Sequence, residues 1–184
     1  DLDFPSGATP WLAAPTQPMV RVWRSNSGGL NAADLLPLLN AKTRLVQVSL
    51  ISFYNGFRLD WQPFHDAVRQ LAPHALISVD VTQALGRVAL NCLGADCIIS
   101  STHKWVLGLH GGCSVGVPEA RAAQLTTRAG GWFQLNNAFD ADRFESARIK
   151  PGALRFSVGM PSFTALYALN AFTTIFIAFA LAAL

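Results

Sequence analysis

Along the chain, short continuous runs of apolar residues alternate with segments in which apolar residues recur every three or four positions. Continuous Val/Ile/Leu runs suit strands covered on both faces, whereas the three-to-four spacing suits helices with one buried side. The runs are MVRVW (19–23), RLVQVSLISF (44–53), ALISVDV (75–81), ADCIIS (95–100) and CSVGV (113–117), and each predicts a strand. Between them, Asn31 can cap a helix through Leu39, and Gln62 to Leu71 sets Phe64, Ala67, Val68 and Leu71 on one helical face. Pro118 followed by Glu119 opens another helix. Strands alternating with helices predict an α/β fold with a mainly parallel central sheet. FPSGATPW (4–11) and IKPGALRF (149–156) read as connections, and no internal repeat is present.

Composition changes this picture in one respect. Of 184 residues, 51% are hydrophobic and only 14% charged, so part of the surface is expected to be covered by a partner chain or by further segments. The net charge of +3 comes from scattered basic residues, which argues against nucleic-acid binding. Cys92, Cys97 and Cys113 lie in apolar surroundings and are odd in number, so they read as reduced core thiols in a cytoplasmic setting. The first residue is not Met, and no basic-then-apolar leader follows, so the chain reads as a fragment without a signal peptide. From Thr164 to Leu184 there is no charge, a length that could span a bilayer as a helix. Asn170 and several threonines interrupt it and no Lys or Arg flanks its end, so a helix covered by other protein is the expectation. Residues 1–170 are accordingly taken as part of one large domain and 171–184 as an atypical apolar segment.

Candidate chemistry lies where predicted strands end, because ligands of open parallel sheets bind beyond the carboxyl ends of the strands. ALISVDV delivers Asp80, followed by Thr82 and Gln83, and ADCIIS delivers Ser101, His103 and Lys104. A carboxylate in an apolar run requires a cationic or strongly donating partner. A desolvated lysine becomes a nucleophile capable of a Schiff base. Together they are what pyridoxal 5'-phosphate demands: a carboxylate for the ring nitrogen and an amine for the aldehyde. His103, His110 and Cys113 fit no common zinc spacing, so no metal is expected. Neither a P-loop nor a strand-linked G-x-G-x-x-G is present, which argues against a nucleotide-binding domain.

VDVTQALGRVALNCLGADCIISSTHKW resembles the cofactor-binding core of the class V aminotransferase family, fold type I pyridoxal-phosphate enzymes that include cysteine desulfurases, selenocysteine lyases and isopenicillin N epimerase. FPSGATPW, VSLISFYNGFRLD, GGWFQLNNAFDADRFE and ALRFSVGMPS are similar to family segments in the same order, over about residues 1–170. The resemblance implies a three-layer α/β/α large domain, a homodimer and an amino-acid substrate. It implies that Lys104 forms the Schiff base, Asp80 pairs with the pyridinium nitrogen, Gln83 contacts the phenolic oxygen, and Ser101 and His103 bind the phosphate. Phe53, Met160 and Cys113 depart from the family pattern, and the family's cofactor-stacking ring and small domain have no counterpart in the sequence. A truncated, non-catalytic interaction module of the same fold is the alternative expectation.

Overall fold

The computed structural model describes residues 1–122, 125, 127 and 129–182, with side chains of the last helix through residue 178. The chain forms two compact units, Asp1–Ser100 and Ser101–Leu184.

In the first unit, β1 (Leu45–Ser49), β2 (Leu76–Asp80) and β3 (Cys97–Ser101) form a parallel ladder, β3 ending one residue past the unit boundary. Ser49 stands opposite Asp80, and Asp80 opposite Ile99. The crossover from β1 to β2 carries helix α3 (Trp61–Leu71). Its Phe64 and Val68 are fully buried in one cluster with Ile77, Val79 and Val81 of the β2 segment. Burying side chains of this size contributes about 1.5–3 kcal/mol each, which is why this face holds the sheet. Trp23 stacks on Phe64 with ring centroids 5.9 Å apart.

Two other elements of this unit are helical. Asn31 caps α2 (Ala32–Leu35), its carboxamide oxygen accepting from the Ala33 amide at 2.9 Å, and Leu36–Leu38 continues as a 3-10 turn. The segment expected to be a connection is helix α1 (Pro5–Leu12). Proline at its first position costs no hydrogen bond. Gln47 of β1 then holds it at both ends, donating to the Gly7 carbonyl at 2.6 Å and accepting from the Trp11 indole at 3.0 Å. MVRVW, expected as a strand, forms no ladder: Met19 is exposed and Trp23 alone of the run is in the core.

The second unit is irregular. It contains β4 (Cys113–Gly116), α4 (Glu119–Ala122), 3-10 turns at Trp132–Gln134 and Gly152–Phe156, and α5 (Phe163–Ala182). The 3-10 turn at 152–156 replaces the expected connection. Segments 134–137 and 148–150 pair antiparallel around buried Asn137, whose side chain bonds Ser146 and Arg148 backbone. In α5, the Thr173 and Thr174 hydroxyls donate back to Leu169 and Asn170 carbonyls, so neither interrupts the helix. Phe163, Tyr167, Ile175, Phe176 and Ile177 are exposed on it. Among the described residues, no helix is long and apolar enough to cross a membrane. The last two residues of the apolar segment 171–184 lie outside the described residues.

Candidate active site

The acidic half of the predicted site belongs to the first unit. Asp80 is the last residue of β2 and half-buried. Its Oδ1 accepts a hydrogen bond from the Thr82 amide at 2.7 Å, which fixes the carboxylate at the strand end. The chain then coils tightly, with the Ala84 and Leu85 amides both donating to the Val81 carbonyl, and Gly86 taking φ +85° where a side chain would be strained. Gln83 is half-buried on this coil, one residue before fully buried Ala84. A carboxylate with one oxygen engaged by an amide retains lone pairs for a further donor.

The basic half belongs to the second unit. Ser101, His103 and Lys104 are half-buried, and Thr102 between them is buried with 1% exposure. Each bond of Thr102 closes the segment on itself. Its amide donates to Gly112 carbonyl at 3.1 Å, its carbonyl accepts from Gly108 amide at 2.8 Å, and its hydroxyl donates to Leu109 carbonyl at 3.0 Å. The Leu107 amide donates to the Lys104 carbonyl, and Leu107 itself has φ +52°, a conformation a leucine rarely adopts. His110 stacks on His103, with ring centroids 3.9 Å apart and planes inclined by 21°. Desolvation, then the nearby charges of His110 and Lys104, hold the His103 imidazole below its ordinary range. His103 is therefore neutral near pH 7 and keeps one N–H to donate.

This donor set suits pyridoxal 5'-phosphate. A hydroxyl, an imidazole and an amine within four consecutive residues can serve an anionic group and an aldehyde. A carboxylate at the end of a parallel strand can serve the ring nitrogen.

A parallel sheet with helices is the fold of the large domain of fold type I pyridoxal-phosphate enzymes. A family model described as aminotransferase class V matches residues 1–183. The chain belongs to the class V aminotransferase family. A probable cysteine desulfurase of Mycoplasma pneumoniae is 28% identical over 169 residues, covering 88% of this chain and 40% of its own. An uncharacterized aminotransferase of Bacillus subtilis, YcbU, is 27% identical over 170 residues, with 91% and 44% covered. This chain thus spans about two fifths of the length of these curated relatives. Among solved structures, the cysteine desulfurase CsdA of Escherichia coli is similar with TM-score 0.78 at 18% identity, covering 93% of this chain and 42% of that one. An apo cysteine desulfurase of Thermococcus onnurineus gives 0.76 at 20% identity, covering 91% and 41%. At such identities the structures establish the shared fold.

Several side chains differ from expectation. Cys92 is buried, but Cys97 is half-buried and Cys113 exposed, because β4 has no apolar layer over that position. Arg155 donates to the Ala122 and Leu125 carbonyls, which straps parts of the second unit together. Phe53 packs edge-on against Phe4 with centroids 4.9 Å apart. Sequence reasoning missed Thr102 and weighed His110 only as a metal ligand. The lone signal for them is the density of glycines at 108, 111 and 112, which marks a tight loop but not what it closes on.

Proposed function

We propose that the protein is a pyridoxal-phosphate-dependent enzyme of the cysteine desulfurase type, acting on an amino acid as part of a homodimer in the cytoplasm. The observation that carries this reading is Ser101 at the end of β3, with His103 and Lys104 directly after it, and Asp80 at the end of the parallel neighbour β2. The sequence similarity to a probable cysteine desulfurase supports the reaction type. When bound, pyridoxal 5'-phosphate supplies an aldehyde and a protonated ring that accepts the electron pair left when a bond at the substrate α-carbon breaks.

The chain's own residues do the rest. Lys104 Nζ would hold the aldehyde carbon and would carry the proton exchanged at the substrate α-carbon. Asp80 would pair with the protonated ring nitrogen, its carboxylate held in place by the Thr82 amide. Gln83 orients the ring through its phenolic oxygen. Ser101 and His103 donate to the phosphate, leaving Lys104 for the aldehyde.

Mixing the protein with pyridoxal 5'-phosphate tests this. A visible absorbance band that Lys104→Ala abolishes, with L-alanine formed from L-cysteine by the unsubstituted protein in the presence of a reducing thiol that carries the sulfur off as sulfide, is the expected result. A folded protein that gives no band would overturn cofactor binding and favour the rival reading, a non-catalytic module of the same fold. That rival draws its support from the exposed apolar side chains of α5.

A further inference from the structure

Within the second unit, the ring of hydrogen bonds around Thr102 has a consequence for its neighbours in sequence. The Thr102 hydroxyl grips the carbonyl of Leu109. His103 follows the donor of that bond and His110 follows its acceptor, and their rings stack at 3.9 Å. Two glycines make the closure possible. A Cβ at Gly108 would lie 2.9 Å from the Thr102 carbonyl oxygen, and one at Gly112 would collide with Thr102 Oγ1. A residue this buried with its amide, carbonyl and hydroxyl all engaged leaves the segment little freedom.

We propose that Thr102 and His110 are positioning residues for His103: the Thr102 hydroxyl fixes Leu109, and His110 stacked on His103 fixes the ring that donates to the cofactor phosphate. The phosphate role rests on the function proposed above; the positioning of His103 does not. Holding the imidazole in one orientation before the anion arrives removes the cost of ordering it on binding. The charged groups facing His103 are those of His110 and Lys104, and both keep it neutral, so that a single oriented N–H does the donating.

The test is proton NMR of the four histidines in the unliganded protein, followed by titration with pyridoxal 5'-phosphate. In Thr102→Val, which keeps the shape but loses the hydroxyl, the His103 ring resonance loses its stacking shift and its titration midpoint rises toward the ordinary imidazole value. Thr102→Ser restores both. His110→Ala, at an exposed position that the fold does not require, raises the His103 midpoint with Thr102 intact. Cofactor affinity falls about tenfold in Thr102→Val and His110→Ala and returns in Thr102→Ser, the size expected for one misplaced hydrogen bond. A His103 resonance and midpoint unchanged in both Thr102→Val and His110→Ala would overturn the proposal, whether or not cofactor binds. If those variants shift His103 while the unsubstituted protein binds no cofactor, the positioning stands and the cofactor reading fails.

Discussion

The first unit fixes its polar groups by burying them among apolar ones, whereas the second fixes them by folding backbone around a single residue. Asp96 is the example in the first unit: 3% exposed, it accepts from the Arg69 guanidinium and the Ile77 amide, both at 2.8 Å. Arg69 also donates to the Ala75 and Gly94 carbonyls, so charge and backbone are satisfied together. Thr102 is the counterpart in the second unit, where Val106, Ala122 and Ala165 are the buried apolar side chains among the described residues. The first arrangement resists global unfolding, and the second sets the local geometry of the residues around it.

Substitutions at the centre of each arrangement separate the two effects. The largest is expected for Asp96→Ala, which strands Arg69 and costs about 3–5 kcal/mol in urea unfolding. A loss below about 1 kcal/mol would mean that the pair does not anchor the first unit. Gly112→Ala follows: its methyl displaces the Thr102 hydroxyl, with Ala165 Cβ at 3.3 Å blocking the other side, and the cost is about 1–3 kcal/mol. Calorimetry of this variant should show the loss together with a weakened response to cofactor.

Asp80→Ala removes one hydrogen bond from a half-buried carboxylate and costs about 1–2 kcal/mol, far less than Asp96→Ala. If Asp80 has the role proposed for it, cofactor binding is nevertheless expected to be lost. Equal stability losses for the two aspartates, with cofactor binding intact in Asp80→Ala, would erase the distinction between them.

The smallest effect concerns pH. The folded protein holds His103 below the unfolded value of 6.5, so the unfolded chain takes up the proton first as pH falls. The contribution is present above pH 6.5 and is lost as pH falls through the folded value. His103→Gln should flatten that part of the stability profile, measured as unfolding midpoints against pH.

Much of the first unit was legible because burial and periodicity coincide there: β1 and β2 fall within the apolar runs that predict them, and β3 and α3 overrun theirs by one residue each. MVRVW misled because an apolar run signals burial, and Trp23 alone of that run is buried. Helix α1 was illegible because Gln47, in another element, holds it. The two aspartates show a deeper limit. Asp80 and Asp96 both interrupt apolar stretches, and the residue that marks Asp96 as structural, Arg69, lies 27 positions away. Of the site, the residue types were readable from their order along the chain. The Thr102 closure was not, because hydrogen bonds from one threonine to a loop leave no pattern in sequence.

The chain has three lysines, which makes one chemical test decisive. Lys42 is exposed on a turn, and Lys150 is held by the Phe133 carbonyl and ring. Borohydride reduction of the protein mixed with pyridoxal 5'-phosphate, followed by peptide mass mapping, should place the label stoichiometrically on Lys104. Label on Lys42 or Lys150 instead, or spread evenly over all three, would contradict the assignment of Lys104.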